Sequence, residues 1–496
     1  MDYKSDSESD ISFSCESNDW LVMSQCSQTS MVGHLNAIDI NSDESNTCES
    51  PDLINTLDDY SLLLILSKLS FVEKIIAQKV CKKWRQLVFQ LIRCQSSLGV
   101  AISFAVCDDP KHQVSSAECI GDEFVSAVED NTKWYFVTAK NLSTVLSKCP
   151  NLKSLMLQNC IFCREVLEVF TRDCSSYLEH LDLSYSSCNI NEILQILSDK
   201  CCDTLKHVML KDNEINENAL KCLIKSCKEL EVLVLDQNIE ITGNCFNLFG
   251  DKISRLSIVD CISIDESGIK ALVSGNGKHI KHLQIGDSMR AAMFQIICEQ
   301  MISLTTLEFN GFKADSAINA NSYNLIANLQ SLQELVLTVT RIPFDTQFII
   351  IIGGCRQLKK IKIDGPIITD TAIKQIPANC PNVEQISINP LDNFTNSFIT
   401  DECRYELVSL RQLKSLSLCS SSITDIFVEE ITRYSRLSFI ELDSCNLITN
   451  KSLDLFIEMA ISRPNDKIMV FVKNTNLTKP TLDLPSNLYV LNTTFI

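Results

Sequence analysis

One hydrophobic pattern, L-x-x-L-x-L, recurs along most of this chain and dictates what it can fold into. Its first apolar site falls at Leu152, Leu178, Leu205, Leu230, Ile253, Ile280, Leu304, Leu332, Leu358, Val383, Leu413 and Leu437, eleven intervals over 285 residues, each of 23 to 30 residues. The second site lies three residues further on (Leu155 to Ile440) and the third two beyond that (Leu157 to Leu442). All thirty-six sites are aliphatic or Phe, in a chain that is 45% hydrophobic overall, so chance does not produce them. Two apolar residues spaced by two are the inward face of a short strand. One such strand cannot bury itself. Stacked copies form a parallel sheet, and the segment after each strand must return as a helix on the outside. The stretch from Asn218 to Lys225 has the apolar spacing such a return requires.

Around this frame the residues resemble the cysteine-containing leucine-rich repeats of F-box proteins. Cys160, Cys261 and Cys445 hold the ninth position of their repeats, and Asn213 and Asn238 hold it in others. Thr369-Asp370 and Thr424-Asp425 reproduce the pair that starts the helix, and Cys149-Pro150-Asn151-Leu152 and Cys380-Pro381-Asn382-Val383 the turn back to the strand. Phe312, Pro366 and Leu391 depart from the ninth-position pattern, so irregular stacking is expected there. Asp466–Val472 and Asn487–Leu491 read as further degenerate repeats.

Ahead of the repeats, Leu62, Ile65, Leu66 and Leu69 occupy one helical face, and Ile75, Ile76, Val80 and Cys81 begin a second apolar set that runs to Trp84 and Leu87. A piece this short cannot build a self-sufficient core, so something must cover part of it. It resembles an F-box, through Leu57, Leu62, Leu63, Ile65, Leu69 and the run Val80-Cys81-Lys82-Lys83-Trp84-Arg85. Asp58, Tyr60 and Ser61 depart from that pattern. The resemblance implies docking onto the Skp-type linker subunit of a cullin/RING ubiquitin ligase through Leu57, Leu62, Ile65, Leu66, Leu69, Val80, Cys81 and Trp84. It implies a substrate-recognition adaptor for SCF-dependent proteasomal degradation, without catalysis of its own. Two other readings stay open: a binding scaffold whose helical segment is only a cap on the first repeat, and an enzyme with a site on the concave repeat face.

The expected fold class is therefore α/β, a short all-helical F-box followed by a curved leucine-rich-repeat solenoid with parallel strands inside and helices outside. The expected organisation is a disordered acidic head (1–50), an F-box-like helical domain (51–95), a linker with a degenerate opening repeat (96–140) and a solenoid of about 12–14 repeats (141–496). Within 96–140, Val100–Val106 and Lys133–Val137 read as strands. The head carries ten acids against one lysine, and twelve serines, among them Ser7 three residues before Asp10, a spacing that suits an acidophilic kinase.

Net charge is −18, which argues against nucleic acid or an anionic membrane as the main partner. No run reaches the roughly 20 apolar residues a membrane helix needs, and the N-terminus lacks the features of a secretory signal, so a cytoplasmic or nuclear protein is expected. There the 24 cysteines stay thiols and act mostly as small buried hydrophobes.

Chemistry has few footholds: no P-loop, no nucleophile elbow and no H-E-x-x-H are present. Cys160-Ile-Phe-Cys163 has no second pair at zinc spacing, so neither a metal nor a cofactor is expected. Binding falls instead to side chains that alternate with the inward pairs and face out of the sheet. They are His180, Asp182, His207, Met209, Lys211, Arg255, His282, Glu308, Lys360, Lys362, Phe439 and Glu441, offered to a protein substrate whose identity the repeat does not fix. His180 and His207 are expected side by side about 5 Å apart, and Lys360 and Lys362 as a modest basic spot.

Overall fold

The computed structural model describes ten scattered residues between Leu62 and Val88, then 97–99, 106–107, 134–147, 149–311, 318, 320–340, 342–390, 398–434, 436–478 and 484–492. The acidic head, with Ser7, lies outside the described residues. Fifteen strands form one parallel sheet in chain order, from Ser97–Gly99 at one end to Leu488–Leu491 at the other. The inward residues are in register from strand to strand: Leu155, Leu181, Val208, Leu233, Leu256, Leu283, Leu307, Leu335, Ile361, Ile386, Leu416, Ile440, Val470 and Val490 form one continuous row. All thirty-six apolar sites of the repeat are buried, none more than 4% exposed. The two degenerate repeats supply the last two strands, Ile468–Phe471 and Leu488–Leu491. The fold is a leucine-rich-repeat solenoid.

The segment before it differs from the sequence reading in one respect. Trp134–Val137 is a strand as expected, but it belongs to a second, three-stranded sheet, antiparallel to Val106–Cys107 and parallel to Cys160–Phe162. Of the strand read over Val100–Val106 only Val106 is among the described residues, in the strand Val106–Cys107, and Ser97–Gly99 joins the main sheet beside Ser154–Met156. Apolar alternation marks strand-forming residues, but it does not say which sheet edge will take them.

Return helices cover one side of the sheet. In Glu217–Ser226, Ala219, Leu220, Leu223 and Ile224 are the buried stripe, and Asn216 caps the start by accepting from the Ala219 amide at 2.9 Å. Where the interval is shortest, 23 residues from Leu230 to Ile253, the return shrinks to a single 3-10 turn, Phe246–Leu248. That tight path needs glycine: a Cβ on Gly250 would sit 2.7 Å from the Lys228 carbonyl oxygen, and Gly243 adopts φ 78°.

Two side-chain ladders join consecutive repeats. At the eighth position the backbone turns left-handed, at Asn159, Tyr185, Asp212, Gln237, Asp260, Gly365, Ser420 and Ser444. At five of the ninth positions the side chain donates back to the carbonyl of the third apolar residue one repeat earlier. The bonds are Ser186 Oγ to Leu157 (3.0 Å), Asn213 Nδ2 to Leu183 (2.6 Å), Asn238 Nδ2 to Leu210 (2.5 Å), Cys261 Sγ to Leu235 (3.0 Å) and Cys445 Sγ to Leu418 (3.2 Å). Cys and Asn therefore share this position because each brings one donor to a buried acceptor. Pro366 carries no amide hydrogen, and a backbone bridge takes over beside it, from the Ile367 amide to the Ile342 carbonyl at 2.7 Å. Phe312 and Leu391 lie outside the described residues.

The second ladder runs through the helix starts. Asp345, Asp370, Asp401 and Asp425 accept from both the amide and the hydroxyl of Thr369, Thr400, Thr424 and Thr449 respectively, at 2.5–3.0 Å. Each Thr hydroxyl in turn caps its own helix or turn, as Thr424 does for the Ile426 amide at 3.2 Å. Replacing Asp401 with Ala strands both Thr424 donors, and the expected cost is about 1–3 kcal/mol. Asp401→Asn, which keeps an acceptor oxygen, should lose less. Urea midpoints compared across wild type and the two variants decide the matter, and equal midpoints for Ala and Asn would remove the ladder's role.

Candidate interaction surface

The side of the sheet away from the helices holds the residues the sequence singles out. His180, His207, Arg255, His282, Lys360 and Phe439 stand in one row, each directly before an inward residue. Asp182, Met209, Glu308, Lys362 and Glu441 stand in the row directly after. All except Asp182 are partly exposed, as is Lys211 beyond them. Asp182 is a correction to the reading of a substrate-facing side chain. It is only 3% exposed, accepting from Gln158 Nε2 at 2.6 Å and the Ser184 amide at 2.9 Å, so it serves the strand-exit turn.

Much of the polar part of this face is internally matched. Lys211 lies 3.5 Å from Asp236, Arg255 reaches Glu308 at 3.9 Å, and Lys362 sits 3.4 Å from Asp364. The expected basic spot at Lys360 and Lys362 is thus half neutralised by its own neighbour. Glu441 accepts from Ser417 Oγ at 2.6 Å. Glu179 bridges Lys153 at 2.6 Å and Lys206 at 2.9 Å, and these hydrogen bonds hold its carboxyl down to about 2.

His180 and His207 meet as expected, Nδ1 to Nδ1 at 2.9 Å with ring centroids 4.4 Å apart. That contact needs one Nδ1 protonated and the other bare, which two neutral rings provide. Burial lowers the pKa of both rings, and for His207 the charge of His180 lowers it further; Glu231, 3.8 Å from His207, works the other way. A histidine held below its unfolded value contributes full stability above about pH 6.5 and loses it as pH falls through its folded value. The pair should therefore destabilise the array by about 1 kcal/mol or less on going from about pH 7.5 to 5. The check is whether His180→Asn/His207→Asn flattens that part of the melting-temperature profile; an unchanged slope would clear the pair of any role.

Among the described residues no group of three or more His, Cys, Asp or Glu is placed to hold a metal ion, and no helix is long and apolar enough to cross a membrane. The described cysteines are free thiols, twelve of them buried. Burial pushes Cys201 and Cys445 up to about 11 and Cys261, Cys355 and Cys380 to about 12. Such thiols are held protonated at neutral pH, the opposite of what a nucleophile requires.

The sequence reading stopped short of the face's most distinctive part. On the last three strands, Phe439, Met469 and Tyr489 continue one row, and Phe471 and Leu491 continue the other beyond Glu441. Phe439 and Phe471 lie 5.1 Å apart between centroids with their rings tilted by 35°, and Tyr489 and Leu491 are 48% and 51% exposed. Five neighbouring apolar side chains on a solvent face are a common mark of a protein contact. Applying the alternation rule to the degenerate repeats finds them, because their inward residues fix which neighbours face out.

In the helical segment ahead of the array, Leu62, Leu63, Ile65, Leu66, Ala77, Lys83, Trp84, Leu87 and Val88 are helical. Leu62 and Leu66 are fully buried, Trp84 is half-buried and Ile65 is 44% exposed. Leu57, Leu69, Val80 and Cys81 lie outside the described residues.

The family model of the F-box domain matches residues 54–95, so this segment is an F-box domain. No curated protein matches the chain. Similar solved structures include the Rad7 and Elc1 complex in yeast, at 16% identity over 72% of this chain and 88% of that one, with a TM-score of 0.48. An internalin (inlF) from Listeria monocytogenes is similar at 14% identity over 72% and 89%, TM-score 0.38. The TLR13–ssRNA13 complex is similar at 16% identity over 69% and 53%, TM-score 0.41. All three scores lie below 0.5, so the repeat architecture stands on its own register and ladders.

Proposed function

We propose that this protein is the substrate-recognition subunit of a cullin-type ubiquitin ligase. Its F-box docks the Skp-type linker, and through it the cullin/RING core. The open face of the array holds a protein substrate. One observation carries the reading: an F-box match at 54–95 directly precedes a long array whose sheet face ends in an apolar patch. A frame of buried leucines holds that face rigid, which suits recognition.

The chain contributes binding and not bond chemistry. Tethering a substrate lysine beside a charged ubiquitin carrier makes an otherwise bimolecular transfer effectively intramolecular. Such a role places the protein in the cytoplasm or nucleus, where that machinery works.

Within the F-box, the linker contact narrows to surface. Leu62 and Leu66, fully buried in the chain itself, act as its core, and the exposed Ile65 faces the partner. The test is co-elution of the full chain with the linker subunit, wild type beside Ile65→Asp. The reading expects a complex for wild type only; if wild type also elutes alone, the ligase role is lost.

A further inference from the structure

The fifteen-strand sheet ends on Leu488–Leu491, whose far edge no strand pairs among the described residues. Alternation sets the chemistry of that edge. The Asn487 and Leu491 carbonyls accept from the Ile468 and Val472 amides at 2.9 and 3.0 Å. These two residues, and Tyr489 between them, therefore turn their backbone groups toward the preceding strand, while Leu488 and Val490 turn theirs outward. The Leu488 amide is engaged by the Pro485 carbonyl at 2.9 Å. Val490 presents both an amide and a carbonyl at the open edge.

Sheet edges are commonly guarded by lysine or proline, which keep other strands away. Leu488–Leu491 has neither, and no charged side chain occurs from Leu484 to Ile496, in a chain that is 21% charged. A net charge of −18 sets copies of the chain against one another in general. The uncharged end is where two of them can approach.

The edge is self-complementary. Around a two-fold axis through Val490, two antiparallel copies exchange N–H···O bonds between their Val490 residues in both directions. Tyr489 of each copy then falls directly opposite Leu491 of the other, giving two aromatic–aliphatic cross-strand pairs on the open face. Both side chains are available for this: Leu491 is 51% exposed, and Tyr489, over whose ring Lys467 stands at 4.8 Å, is still 48% exposed. The inward face agrees. Every residue of the row from Leu155 to Val470 is buried, and Val490, which ends it, is half-buried for want of a neighbour on its far side. The Val490 of a second copy supplies that neighbour, so the row runs on through the axis. An unrelated strand could take the hydrogen bonds, but only a second copy matches both faces by symmetry.

We propose that this protein forms a two-fold dimer with a second copy of itself through the outer edge of its last strand, with Val490 on the axis. The contact is small, so association falls at about 10–100 µM, and it joins the apolar patches of two copies into one surface. It does not depend on the ligase role. The test is sedimentation equilibrium of the full chain from about 1 to about 200 µM, where monomer should pass to dimer and no further. Val490→Pro removes the outward amide and leaves the bonds to the preceding strand, so it should weaken association about tenfold or more with the far-ultraviolet spectrum unchanged. Tyr489→Lys/Leu491→Lys sets lysine opposite lysine at both cross-strand pairs and should weaken it as much. Tyr489→Lys/Leu491→Glu sets lysine opposite glutamate and should stay within about threefold of wild type. If Val490→Pro disturbs the spectrum, these two double variants decide alone. A wild type that stays monomeric over the whole range overturns the proposal, as does a dimer indifferent to a well-folded Val490→Pro. So do lysine–lysine and lysine–glutamate variants that behave alike, and so does a series of ever larger species, which would mark contact between opposite edges of the sheet.

Discussion

Replacing Leu335 with Ala is expected to cost about 2–5 kcal/mol, a large share of the roughly 5–15 kcal/mol that stabilises an ordinary domain. Leu335 is fully buried at the middle of the sheet, and it is in register with Leu307 on one side and Ile361 on the other. Truncation there opens a cavity that two repeats share. In a solenoid, stability is a sum of repeat and nearest-neighbour terms, so a weakened central interface also divides the array into two poorly coupled blocks. Val490 holds the same position on the last strand but is half-buried and pairs on one side only, with Val470. Val490→Ala should cost about 1 kcal/mol or less. Urea unfolding followed by circular dichroism should show an early, broadened transition for Leu335→Ala and a near-normal one for Val490→Ala. Equal, uniform losses from both would mean that the repeats do not stack as the register indicates.

The second large effect is expected at the F-box. Ile65 is a helical residue 44% exposed in the chain, flanked by the fully buried Leu62 and Leu66. An apolar side chain of this kind, covered by a partner, is a typical anchor, and a carboxylate in its place leaves a desolvated charge against the linker. Ile65→Asp should therefore weaken linker binding by about 2 kcal/mol or more, about thirtyfold. Its solvent exposure means the helix itself should survive, which the far-ultraviolet spectrum checks. Leu62→Ala provides the contrast: it should lower the stability of the segment through lost core packing. An Ile65→Asp chain that binds the linker like wild type would show that the docking face lies elsewhere.

The frame was legible because the repeat carries two periods at once, two within each strand and about twenty-six between strands, so every inward residue is determined by position. The ninth-position residues were legible as a pattern, but their purpose was not: only the geometry shows Asn213 and Cys261 reaching back to Leu183 and Leu235. Helical returns were read uniformly, and the 23-residue interval that collapses to Phe246–Leu248 shows the limit of that, since length decides whether a helix fits.

The open face was half legible. Alternation says which side chains leave the sheet, but it cannot say that Arg255 will meet Glu308 two strands away or that Asp182 will turn into the frame. The gathering of cations in the turns before the last strands was beyond reach for a plainer reason. Arg411, Arg436 and Arg463 are separated by about one repeat each in sequence, and only stacking brings them together.

The central claim is most directly tested by mixing the purified full chain with linker, cullin and RING subunits and measuring the mass of the eluted species by light scattering. The account predicts one assembly containing the four subunits in equal numbers, lost with Ile65→Asp. A chain that elutes alone beside an intact linker–cullin–RING complex, in wild type as in Ile65→Asp, would contradict it.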